Sequence, residues 1–253
     1  MIPKKIHYCW FGRNSKPKLA EKCIKSWKKF CPDYEIVEWN EDNYDYLKSD
    51  FMREAYEAKK WGFVPDYARL DIIYNYGGLY LDTDVEIVKP MDPLLEYKGF
   101  MGFESNDYLA LGLGFGAEAG NEIIKTLRNS YESRHFIMHD GSLDQTPSPR
   151  NDSKVLKDMG IELNGNMQEK DGFIFLPPEY LNPISFGDTT IRENTYSIHW
   201  FAASWCDEEE KKKQEASIRQ IKMNHYLQMP NRVGRRILGD EKYEQLRKLL
   251  KGR

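Results

Sequence analysis

Apolar and polar positions alternate between two periods along the chain. Ile6-His7-Tyr8-Cys9-Trp10-Phe11 is a short apolar and aromatic run stopped by Gly12, which predicts a buried first strand ending in a loop. From Lys18 to Phe30 the residues Leu19, Cys23, Trp27 and Phe30 recur at helical intervals among lysines, so one face of a helix is buried. Pro32-Asp33 ends that helix, and Glu35 to Trp39 follows as a second strand. A βαβ opening of this kind predicts an α/β sheet that takes ligands at the carboxyl ends of its strands. A helix around Phe51 to Lys60 leads to Pro65, which suits a first helical turn, and a second helix runs to Tyr76 until Gly77-Gly78 stop it. Leu79-Tyr80-Leu81 is then a short buried strand that delivers Asp82-Thr83-Asp84 at its end. Further strands are expected at Phe100 to Phe103, Phe173 to Leu176 and Tyr196 to Trp200, with helices near Asn121 to Tyr131 and Ser153 to Met159. Residues 133–152 read as a loop.

Composition narrows the class. With 253 residues and 34 aromatics among them, the chain has a full core available and is not disordered. No run approaches the roughly 18 apolar residues of a membrane-spanning helix, and Met1 to Phe11 lacks a secretion signal's apolar segment, so a cytoplasmic location is expected. Cys9, Cys23, Cys31 and Cys206 are too scattered for a zinc clip or a disulfide scaffold and read as reduced thiols. The net charge of −3 conceals an asymmetry. Residues 211–253 hold 13 basic and 4 acidic side chains, against 24 and 36 in residues 1–210. The division expected is a catalytic domain over 1–210 and a basic helical extension over 211–253. That extension is either a solvated or packed helix or a contact for an anionic surface such as the inner face of a membrane. Nucleic acid is not an expected partner.

The candidate chemistry lies after the third strand. Two aspartates one residue apart at a strand end, Asp82 and Asp84, can reach one hard cation, although an exposed Asx turn gives the same tripeptide. Asp66 and Arg69 are three apart, share a helix face, and form either a ligand-holding pair or a surface ion pair of little energetic weight. Gly112 to Gly116 lacks the spacing of a nucleotide loop and reads as small residues that admit a substrate close to the backbone. Glu104, Asn106 and Asp107 either face an acceptor or form a plain polar loop. An acidic strand end and a high aromatic content leave open an aspartate-dependent phosphohydrolase and a non-catalytic carbohydrate-binding protein. The phosphohydrolase is disfavoured because Asp82 lies far from the N-terminus and no Gly-Thr follows.

The block from Phe63 to Asp84, FVPDYARLDIIYNYGGLYLDTD, resembles the signature of the DXD-containing sugar transferases. That family includes glycosyltransferase family 32 enzymes of bacterial capsular polysaccharide and lipopolysaccharide synthesis and yeast mannosyltransferases, with clostridial glucosylating toxins as distant relatives. Residues 2–12 and 194–205 are similar to the same enzymes. The resemblance implies a GT-A-like, Rossmann-type fold, a nucleotide-sugar donor of the UDP-hexose kind, and Mn2+ or Mg2+. It further implies retention of anomeric configuration and transfer to a glycan or lipid-linked glycan acceptor in surface polysaccharide synthesis. Asp84 matches the direct metal ligand and Asp82 the position that touches ribose and metal. His199 is the first choice to complete the metal shell, with Ser204 and Trp205 near the donor. Asp66 and Arg69 would hold the hexose and a phosphate. Trp10 would lie against the uracil ring, or is simply a core tryptophan.

Overall fold

The computed structural model describes residues 1–184 and 191–202. The expected βαβ opening is present: β1 (Lys5–Cys9), α1 (Lys18–Phe30) and β2 (Glu35–Trp39), with β1 and β2 paired in parallel. Ala20, Cys23 and Trp27 form the buried stripe of α1, and the Trp27 indole N–H donates to the Val85 carbonyl at 2.7 Å. Two further helices follow, α2 (Asp50–Glu57), capped by the Ser49 hydroxyl, and α3 (Pro65–Tyr76), opened by its proline. Gly77 ends α3 with φ +63°, and its N–H donates to the Ile73 carbonyl.

The chain then enters β3 (Gly78–Tyr80), β4 (Val85–Ile87), β5 (Gly99–Phe103) and β6 (Leu109–Ala117). Next come α4 (Glu122–Asn129), α5 (Ser148–Asp158), β7 (Gln168–Lys170), β8 (Phe173–Leu176), the one-turn α6 (Pro178–Leu181) and β9 (Ser197–His199). Seven strands form a mixed sheet in the order β2-β1-β3-β6-β5-β8-β7. Strand β6 runs antiparallel to β3 and β5 on either side of it, so β1, β3, β5 and β8 all point the same way. Their carboxyl ends share one edge of the sheet.

Alternation along the strands divides the core between two faces. Tyr80, Met101, Phe103, Phe115 and Phe175 face one apolar cluster, built with Phe51, Ile72, Leu127 and Leu156. Leu79, Leu81, Phe100, Ile174 and Leu176 face the other, with Trp27, Val85, Leu181 and Ile198. The α/β class expected from the sequence is therefore the observed one. Cys9, Cys23 and Cys31 are free and buried, as expected; Cys206 lies outside the described residues.

One local expectation needs correction. Residues 133–152 are not loop throughout, because α5 starts at Ser148 with a proline in its first turn, five residues before the expected helix start. The glycine-rich run Gly112 to Gly116 belongs to β6, the nine-residue strand at the sheet centre. Glycine is a poor strand former on its own, and here the neighbouring backbones explain it: a Cβ on Gly116 would meet Phe100 at 2.8 Å and the Gly78 carbonyl at 3.0 Å. No helix among the described residues is long and apolar enough to cross a membrane. The expected helical extension over 211–253 lies outside the described residues.

Candidate active site

A cleft of about 570 Å³ opens at the sheet edge where the strands end, and the first expected residues are in it. Asp82 and Asp84 leave the end of β3, as the buried Leu-Tyr-Leu pattern predicted. His199 reaches them through a separate two-stranded ladder, in which β9 runs antiparallel to β4 and His199 pairs with Val85. Beyond β9 the backbone crosses Asp84 again. The Trp200 N–H donates to the Asp84 carbonyl at 3.0 Å and the Ala202 N–H to its carboxylate at 2.7 Å. His199 Nε2 lies 3.2 Å from Asp84 Oδ1. One ligand atom from each of Asp82, Asp84 and His199 falls within 4.8 Å of the others.

The two carboxylates titrate in opposite directions. Burial pushes Asp82 up, Asp84's charge adds to this, and Arg69 opposes it. For Asp84 burial also pushes up, but the His199 charge, its hydrogen bond and the Ala202 N–H outweigh it and hold Asp84 low. His199 is raised: burial works against its charge, and Asp84 more than compensates. Two carboxylates and an imidazole form a donor set that fits a divalent cation such as manganese, and the buried His199 Nδ1 has no protein hydrogen-bond partner.

Asp66 and Arg69 do form an intrahelical ion pair, but not the exposed one. Both side chains are only 5% exposed, because α3 is buried almost all round. Arg69 also reaches towards Asp82 (3.7 Å) and donates to the Ser148 hydroxyl (3.4 Å), while its Nε has no partner. A buried guanidinium held by carboxylates and lining a cleft is pre-placed positive charge for an anionic ligand. Trp10 is partly buried and lines the cleft, with its indole N–H donating to the Asn14 carbonyl at 2.6 Å. Ser204 and Trp205 lie outside the described residues.

Of the three polar residues after β5, only Glu104 lines the cleft. Asp107 is exposed, and Asn106 packs against Gly165, where a Cβ would meet its Oδ1 at 2.5 Å. Gly112, from the run expected to admit a substrate, lines the cleft, as do Ser148 and Trp61, which sequence reasoning did not single out. A Cβ on Gly112 would lie 2.6 Å from Asp82 Oδ2, so the missing side chain leaves room for that carboxylate. Trp61 packs beneath Gly12, whose φ of +92° turns the loop after β1. The Ser-Pro pair at 148–149 was the one available signal for the α5 start.

Residues 17–101 match the family of glycosyltransferase sugar-binding regions containing a DXD motif. Among curated proteins it is similar to inositol phosphoceramide mannosyltransferase 1 of Schizosaccharomyces pombe. The two are 32% identical over 127 residues, covering 43% of this chain and 38% of the relative. Inositol phosphoceramide mannosyltransferase 3 of the same yeast is 34% identical over 104 residues, 40% of this chain and 29% of the relative. The chain thus spans well under half the length of these relatives, and both are fungal mannosyltransferases rather than capsular or lipopolysaccharide enzymes. A solved glycosyltransferase involved in glycosylation of the major capsid of PBCV-1 superposes with a TM-score of 0.45 at 13% identity, over 83% of this chain and 98% of that one.

Proposed function

We propose that the protein is a metal-dependent glycosyltransferase of GT-A-like fold that moves a hexose from a nucleotide sugar, UDP-linked by preference, to a glycan or lipid-linked glycan. The observation that carries this reading is the convergence of Asp82, Asp84 and His199 beside buried Arg69 in one cleft. In this reading residues 1–210 are the catalytic domain, and Asp84, Asp82 and His199 hold Mn2+ or Mg2+. Bound there, the cation supplies positive charge to the donor's diphosphate. Arg69 offsets charge that grows on the diphosphate as the glycosidic bond breaks, and its rigid burial means little reorganisation is needed at that moment. Asp66 fixes the guanidinium and offers an acceptor oxygen to hexose hydroxyls, and Trp10 offers its ring to the base. Ser204 and Trp205 are assigned to the donor, and retention of configuration to the mechanism, by family resemblance alone. A role in surface polysaccharide synthesis rests on the same resemblance.

The test is a donor panel: UDP-glucose, UDP-galactose, UDP-N-acetyl sugars and GDP-mannose, scored for manganese-dependent hydrolysis and thermal stabilisation. Hydrolysis of at least one donor, lost on chelation, is expected. Release of phosphate from simple monoesters instead would favour the phosphohydrolase, and sugar binding without turnover the binding protein. The lipid-linked acceptor is motivated by the basic residues 211–253. It predicts that the full chain sediments with anionic vesicles and that a chain ending at Glu210 does not; equal sedimentation rejects it.

A further inference from the structure

We propose that Glu104 forms the acceptor side of the cleft and takes a hydrogen bond from a hydroxyl of an uncharged polyol, a sugar or cyclitol without phosphate at that position. This rests on the donor reading above and adds the class of acceptor. The sheet order supplies the layout. Trp10 follows β1, Asp82 and Asp84 follow β3, and Glu104 follows β5, with only β6 between β3 and β5. Neighbouring strands lie about 4.8 Å apart, so Glu104 leaves the edge about 10 Å beyond the strand that carries the aspartates, on the side away from Trp10. A donor laid with its base at Trp10 and its diphosphate at the aspartates points its hexose towards Glu104.

The backbone at Glu104 is anchored on both sides. Its N–H donates to the Tyr108 carbonyl at 2.8 Å, and its carbonyl accepts from the side-chain amide of fully buried Asn182 at 3.4 Å. The side chain is half-buried in the cleft, and burial raises its pKa while His199 opposes that rise. Among the described residues it is not one of the three whose ligand atoms cluster. A carboxylate repels phosphate and offers only acceptor oxygens, which suits a neutral hydroxyl. In the transfer a bond forms between an acceptor oxygen and the anomeric carbon, and the bond from that carbon to the diphosphate oxygen breaks with the electron pair leaving on the diphosphate. The hydroxyl proton passes to the departing diphosphate. Glu104 holds a neighbouring hydroxyl and exchanges no proton.

The experiment compares wild type, Glu104→Gln and Glu104→Ala with Mn2+, the donor panel, and free myo-inositol, mannose, galactose or inositol phosphate as acceptor. The readouts are the ratio of hydrolysis to transfer and the Mn2+ affinity of each protein by titration calorimetry. Glu104→Ala is expected to raise the ratio at least about tenfold, with a smaller rise for Glu104→Gln, which keeps an acceptor oxygen and the side chain's shape. Mn2+ affinity is expected to stay within about threefold, since the metal shell is intact. An unchanged ratio overturns the assignment, as does a wild type that hydrolyses donor but transfers to none of the polyols or prefers inositol phosphate. A tenfold loss of Mn2+ affinity would place Glu104 in the metal shell or its support and also overturn it. A wild type that neither binds Mn2+ nor hydrolyses any donor instead refutes the donor reading itself, and the acceptor assignment with it.

Discussion

Gly112→Ala isolates the geometry of the acidic pair with a single methyl group. The new Cβ would lie 2.6 Å from Asp82 Oδ2, whereas ordinary contact begins near 3.4 Å, so the carboxylate must retreat by about 0.8 Å. Arg69 Nη1, 3.7 Å from the same point, is already at contact distance and need not move. Gly112 is not one of the glycines with positive φ, so alanine suits its backbone and β6 should keep its place in the sheet. The perturbation therefore falls on one movable carboxylate. An off-rotamer side chain costs about 0.5–1.5 kcal/mol, and a misplaced ligand or its support costs roughly 10–100-fold in metal affinity. We expect Mn2+ to bind about tenfold or more weakly while the melting temperature moves by only a few degrees. Titration calorimetry with Mn2+, alone and with uridine diphosphate, measures the first, and thermal unfolding the second. Wild-type Mn2+ affinity in a folded Gly112→Ala protein would refute the account of why this strand carries glycine there.

Asp84→Asn should abolish metal-dependent transfer, at least about a hundredfold, with the fold retained, because the amide oxygen can still accept from Ala202. Full, metal-saturable activity in that variant would remove the site from consideration. His7 makes a different prediction, about stability and pH. It is 1% exposed; its Nδ1 accepts from the Trp39 indole at 3.0 Å, and its Nε2–H donates to the Gly77 carbonyl at 3.0 Å, which fixes a neutral tautomer. Burial lowers its pKa to about 4, with the Gly77 hydrogen bond opposing. The unfolded chain binds this proton near pH 6.5, so the contribution is fully present above pH 6.5 and is lost as pH falls towards 4. At most about 3 kcal/mol is at stake. Denaturant unfolding at pH 7 and pH 4.5 should show that loss in wild type and a smaller one in His7→Gln; equal losses would count against it.

The linear sequence determined what adjacent residues can determine. The α1 stripe, the proline that opens α3 and the glycines that end it are signals of period and backbone geometry, and they place Asp82 and Asp84 at a strand end without reference to the rest of the chain. Helical spacing likewise put Asp66 and Arg69 on one face. Whether that face meets water or core is not a local property, and only packing of α3 on the sheet and its neighbours made the pair buried. The same holds for β6, whose glycines look unlike a strand until Phe100, Asp82 and the β3 backbone occupy the space their side chains would need.

Tertiary structure alone joined the site. His199 lies 115 positions beyond Asp84 and comes to 3.2 Å from it because β9 pairs with β4 in a register that sets His199 opposite Val85. Glu104 is separated from Asn106 by one intervening residue, yet only Glu104 lines the cleft. Strand partners and register are chosen by contacts across the whole fold, since shifting a ladder by one residue turns every side chain to the opposite face. Residue types and local spacing specify which groups are available for chemistry; long-range pairing decides which of them meet.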